Sequence, residues 1–171
     1  GVQSVGVDAS ANALSVTEIE SDGATGTAYT HGDDMWGQSF FDFNEELPDG
    51  SHLVVTETDA AGNANSTFLM LEETGPNAVD LSGLEGFDVG AIDLSFAKDT
   101  TLTLDVQTLK DLSDVNDELI IHGDYDDKIT LDGGAETGTT AVIDGKTYDI
   151  YTMGDEARVF IEDGVDVTTV V

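Results

Sequence analysis

Carboxylates crowd the turns of this chain. The densest group is Gly123-Asp124-Tyr125-Asp126-Asp127, which holds three carboxylates in four residues, with Asp132 shortly after. Smaller groups are Asp59 with Asn63, the pair Asp33-Asp34, and Asp111 and Asp114 with Asn116 to Glu118. Ca²⁺ is a hard cation that takes about six to eight oxygens, from carboxylates, amides, backbone carbonyls and water. The ligands expected on this reading are Asp33, Asp34, Asp59, Asn63, Asp124, Asp126, Asp127 and Asp132. Asp and Asn also suit ordinary solvated turns, and that alternative stands for any single group. At least one group is expected to bind the ion. Two calcium signatures do not fit. Asp114-Val115-Asn116-Asp117-Glu118 opens like an EF-hand loop, but Leu119 stands where the loop needs Gly and Tyr125 where it needs Glu. The glycine-rich nonapeptide of calcium β-rolls is also missing.

Other chemistries find little support. The chain has no cysteine, which removes disulfides, thiolate nucleophiles and thiolate metal sites. There is no G-x-S-x-G elbow, no phosphate-binding loop and no dinucleotide fingerprint. His31, His52 and His122 have no spacing that would gather them around zinc. Paired acids for glycoside hydrolysis have no specificity among 36 Asp and Glu. The reading is of a protein that is not an enzyme.

The charge balance is the strongest compositional fact. The 171 residues carry 36 acidic and 5 basic side chains, a formal charge of −31. Residues 1–75 hold 14 carboxylates and no Lys or Arg, and residues 76–171 hold 22 carboxylates and all 5 bases. Such a chain cannot neutralise phosphates, so nucleic acid is excluded as a partner. Docking on an anionic membrane surface is equally disfavoured. A compact body of this charge repels itself, and bound Ca²⁺ or a salty medium would relieve the repulsion. With 39% hydrophobic residues the chain has enough apolar matter for a core. No apolar run approaches the ~18 residues of a membrane span, and no stretch of these residues is read as a signal peptide. The chain opens on Gly1 instead of Met and is expected to be a piece of something longer.

The elements that must position these carboxylates are short strands. Runs at 13–19, 26–30, 37–43, 52–58 and 66–71 read as strands in the first half. So do 92–96, 101–105, 119–122, 128–132, 139–143, 147–152, 158–162 and 165–170 in the second. Leu47-Pro48-Asp49-Gly50 is a turn, Asp59 to Asn63 a longer hairpin loop, and Asp144-Gly145 a type I′ hairpin signal. One short helix is expected near Val106–Leu112, capped by Asp105, with Leu109 and Leu112 buried. Trp36, Phe40, Phe41 and Phe43 are expected in the core. Pro76 marks a boundary. The fold expected is all-β: two Ig-like β-sandwiches in tandem, residues 1–75 and 76–171, like beads on a string.

Two stretches resemble known modules. Pro48-Asp49-Gly50-Ser51-His52-Leu53-Val54-Val55-Thr56, followed by Asp59-Ala60-Ala61-Gly62-Asn63, resembles the bacterial Ig-like repeats of giant surface adhesins, with His52 where the pattern has an aromatic. Val79-Asp80-Leu81-Ser82-Gly83-Leu84-Glu85-Gly86-Phe87-Asp88, continuing through Thr101–Leu104, Leu131-Asp132-Gly133-Gly134 and Thr140–Tyr148, looks like the module near the C-terminal end of RTX-type adhesins of Gram-negative bacteria. The resemblance implies a type I-secreted, Ca²⁺-stiffened adhesin at the bacterial cell surface, active in adhesion and biofilm formation. It implies that Asp59, Asn63, Asp124, Asp126 and Asp127 hold the stiffening ion.

The function expected is therefore structural: a monomeric extender whose partners are neighbouring domains of the same chain. A Ca²⁺-dependent glycan- or peptide-binding module is the alternative, with Tyr125 as the aromatic beside the ion. A halophile's protein would also be acidic and poor in Lys.

Overall fold

The computed structural model describes residues 2–30, 32–113 and 117–171. His31, Asp114, Val115 and Asn116 lie outside the described residues. The fold is all-β with one short helix. The strands are β1 (Ser4–Asp8), β2 (Ala13–Ile19), β3 (Thr25–Tyr29), β4 (Asp33–Met35), β5 (Gln38–Asp42), β6 (His52–Thr58), β7 (Ala64–Leu69), β8 (Asn77–Ala78), β9 (Val89–Asp93) and β10 (Thr100–Leu104). After α1 (Val106–Leu112) come β11 (Glu118–His122), β12 (Lys128–Asp132), β13 (Gly134–Ile143), β14 (Lys146–Met153), β15 (Ala157–Glu162) and β16 (Asp166–Val170).

The first half folds through hairpins. β2, β3, β6 and β7 pair antiparallel, and β1, β5 and β4 form a separate three-stranded antiparallel sheet. Between these sheets Val16, Phe41, Phe43, Leu47, Leu53 and Leu69 form a small core. The turn at 47–50 forms as its residues require: Gly50 has φ +83°, and Ser51 N–H donates to the Pro48 carbonyl at 3.1 Å.

The second half is built differently. Apart from the β13–β14 hairpin, successive strands alternate between two sheets, and each pairs in parallel with the next rung strand of its own sheet. One sheet takes β7, β9, β11 and β15, while the other takes β8, β10, β12 and β16. The result is a stack of four rungs, each a strand, a corner and a strand. In one sheet Phe68, Ile92, Ile121 and Ile161 stand in register and are at most 1% exposed. In the other, Leu102, Ile129 and Val167 stack, as do Leu104 and Leu131. Helix α1 and the β13–β14 hairpin are the two long detours between rungs. α1 is capped as expected: Asp105 accepts from Thr108 N–H at 2.7 Å, and Leu109 and Leu112 are buried. The β13–β14 turn takes φ of +51° and +81° at Asp144 and Gly145, the backbone of a type I′ turn.

Three expectations need correction. The second half is not an Ig-like sandwich, whose strands pair antiparallel. Alternating side chains fix which residues face inward, not the direction of the neighbouring strand. Nor do the halves sit as beads on a string. β7 pairs in parallel with β9, so a nine-stranded sheet runs across the boundary expected at 75–76. The larger core also draws Ile19, Val54, Phe68 and Met70 from the first half. Trp36 is likewise outside the core. Phe41 and Phe43 are buried, but Trp36 is 89% exposed at the tip of the β4–β5 hairpin.

Candidate metal centre

The corner from β11 to β12 carries the densest acidic sequence. Parallel stacking in register places it against the corner of the rung before. Thr101 pairs with Lys128, which sets Asp99 and Thr100 beside Asp126 and Asp127. Asp99 N–H donates to Asp126 Oδ2 at 3.1 Å, and Thr100 N–H to Asp127 Oδ1 at 3.3 Å. Within the corner, Asp124 N–H donates to Asp127 Oδ2 at 2.9 Å, and Asp126 N–H to Asp124 Oδ1 at 3.3 Å. The following rung contributes too, since Gly123 N–H donates to Glu162 Oε2 at 3.0 Å. A side chain at Gly123 would push the Asp127 carboxylate aside, because a Cβ there would lie 2.7 Å from Asp127 Oδ2.

This packing draws three carboxylates together. One oxygen from each of Asp124, Asp126 and Asp127 lies within 4.8 Å of the others. Asp127 is fully buried, Asp126 is half-buried and Asp124 is exposed. Burial pushes the Asp127 carboxyl above its ordinary range. Asp124 and Asp126 share a hydrogen bond that raises the first and lowers the second, as when two like charges compete for one proton. Among the described residues, Asp126 Oδ1 and the hydroxyl of fully buried Thr100 are buried with no hydrogen-bond partner. Buried polar atoms in folded proteins nearly always have one. Oxygen-only donors, concentrated negative charge and an orphaned carboxylate oxygen together suit a hard divalent cation. Three carboxylates would fill part of the Ca²⁺ shell, with carbonyls and water completing it.

The other expected ligands are dispersed. Asp59 turns back on its own loop: its oxygens accept from Ala61 N–H, Asn63 N–H and Asn63 Nδ2 at 2.9 to 3.1 Å. These bonds hold its carboxyl below the usual range, the backbone of Asn63 first. Asp34 accepts from the Ser39 hydroxyl, and Asp33 pairs along the backbone with Phe40. Asp132 ends β12, exposed, in register with Val170. Asp111 accepts from Gln107 one helical turn away. Asp114 and Asn116 of the remaining group lie outside the described residues. The described histidines have structural partners. His52 Nδ1 accepts from Leu71 N–H at 2.9 Å, and His122 Nδ1 bonds the Tyr148 hydroxyl at 2.6 Å.

Asp99, Thr100 and Glu162 belong to the corner yet carry no local sign of it. A signal does exist. Asp99-Thr100-Thr101-Leu102-Thr103-Leu104-Asp105 aligns with Asp126-Asp127-Lys128-Ile129-Thr130-Leu131-Asp132. Read as a repeat, it superposes adjacent rungs and predicts which corner residues meet. Among the described residues no helix is long and apolar enough to cross a membrane. Comparison of the chain with known protein families, with curated proteins and with solved structures finds no match.

Proposed function

We propose that this chain is a Ca²⁺-stiffened structural module of a secreted bacterial surface adhesin, an extender that carries adhesion and biofilm contacts outward from the cell. The observation that carries this reading is the unpartnered Asp126 Oδ1 within the three-carboxylate corner, in a chain of charge −31. A cation there would neutralise the three carboxylates of one corner, whose Asp126 and Asp127 oxygens also hold the N–H groups of the rung before. The continuous sheet couples residues 1–75 to residues 76–171, which suits a spacer that must resist bending. Its partners are then the flanking domains of the same chain, and it acts as a monomer outside the cell without nucleic acid or membrane insertion.

Calorimetry and melting test this directly. Ca²⁺ that binds only the folded state, at ten times its dissociation constant, adds about 1.4 kcal/mol of stability. The midpoint is expected to rise on going from chelator to millimolar Ca²⁺, and Asp126→Asn is expected to remove most of that rise. An equal rise in NaCl of matched ionic strength would assign the acidity to salt adaptation instead. Absence of saturable Ca²⁺ uptake would end the proposal.

A second reading has one observation in its favour. Tyr125 is 86% exposed between Asp124 and Asp126, so an aromatic face stands free beside the proposed ion. That arrangement suits a Ca²⁺-dependent glycan or peptide contact. A glycan array probed with and without Ca²⁺ distinguishes it from a purely structural role.

A further inference from the structure

The tip of the β4–β5 hairpin is built against its own folding preference. Met35 pairs with Gln38, so the turn has two residues, Trp36 and Gly37, with φ of +51° and +77°. Both values belong to a type I′ turn, which selects Asn, Asp or Gly at its first position. A bulky side chain with positive φ is a true outlier that the surrounding structure holds in strain. Burial does not offset that strain, because Trp36 is 89% exposed and Met35 beside it 48% exposed. The space around the tip is open, since a Cβ added at Gly37 would meet nothing within 4 Å. Strain at an exposed aromatic is a sign of use outside the fold.

Charge identifies the user. Exposed Asp8 and Asp34 flank the hairpin, and residues 1–75 contain no Lys or Arg. The first half therefore offers the ring no Lys or Arg side chain, while the surrounding negative charge attracts one. An indole face is the best aromatic partner for a guanidinium or ammonium. We propose that the Trp36 tip is a docking point for a basic protein or peptide, with an Arg or Lys side chain laid over the indole and the nearby carboxylates holding the charge.

Trp36 is the chain's single tryptophan, so its fluorescence reports on this site alone. Titration with an acetylated tetra-arginine amide in 150 mM NaCl is expected to change the emission saturably. By calorimetry Trp36→Asn is expected to weaken that peptide about 2- to 5-fold, the range of an exposed cation–π contact. Asn accepts positive φ, so its melting midpoint should equal or exceed that of the parent, which separates lost binding from lost folding. Four results would overturn the proposal: no emission change, equal affinity in Trp36→Asn, a response to neutral cellotetraose but not to the peptide, or emission that varies with protein concentration alone (self-association).

Discussion

Asp59 and Asp127 each sit in a short acidic turn between two strands, and they do opposite things. Asp59 closes a hairpin loop and spends its oxygens on N–H groups two and four residues away. Asp127, with Asp126, turns a corner between sheets and takes N–H groups from a rung 27 residues earlier. The first loop is self-sufficient and its strands fold back on each other. The second has bonds of its own but also relies on its neighbour in the stack, and among the described residues it leaves an oxygen over. The comparison separates a turn whose carboxylate is fully engaged within its own loop from one whose carboxylates also reach a neighbouring rung, and only the second resembles the proposed cation site.

The sharpest way to break the contrast between the two halves is to cut one core in each. Ile121→Ala, in the middle of the stacked ladder, is expected to cost about 2–5 kcal/mol, and Phe41→Ala about 3–5 kcal/mol. Hydrogen exchange should distinguish them. The first should lose protection across β9, β10, β11 and β12, because each rung templates the next. The second should lose it mainly in β1, β4 and β5. Equal loss everywhere after Phe41→Ala would show one cooperative unit and erase the distinction.

A smaller effect probes the seam between the halves. A Cβ at Gly83 would lie 2.0 Å from the Gly23 carbonyl oxygen, so the loop of the second half and the turn of the first cannot both stay in place. Gly83→Ala is expected to cost about 1–3 kcal/mol, as overpacking does, read as a shift in the denaturation midpoint. An unchanged midpoint would mean that the seam is loose.

The smallest effect is pH-dependent and belongs to the first half. Burial lowers the pKa of His52 from 6.5, and its Nδ1 must stay unprotonated to accept from Leu71 N–H. The unfolded chain therefore takes up the proton first as pH falls. The contribution of His52 is full above pH 6.5 and declines below it until the folded ring also protonates. His52→Gln should flatten the fall in stability between pH 7 and 5.5 relative to the parent. A parallel fall in both proteins would remove His52 as the cause.

Much of the secondary structure could be read from the chain. The run 13–19 is β2, Asp105 caps α1, and Asp144-Gly145 turns the β13–β14 hairpin. Each of these depends on residues within a few positions of one another. Apolar character alone sends Trp36 to the core, whereas the two-residue turn it shares with Gly37 leaves it exposed. At the acidic corner, Asp124, Asp126 and Asp127 were legible because they are consecutive in a turn. Thr100 and Glu162 were not, since they arrive from other rungs.

The sequence alone determined the alternation of inward and outward side chains, the turns and the excess of negative charge, because a strand's period of two and a turn's dihedral demands are local. The tertiary structure decided the direction and register of the neighbours. After each corner the chain could fold back or cross to a second sheet, and both paths bury the same apolar face. Only the crossing path lays Asp126 and Asp127 against Asp99 and Thr100, and that register makes a run of acids a candidate centre.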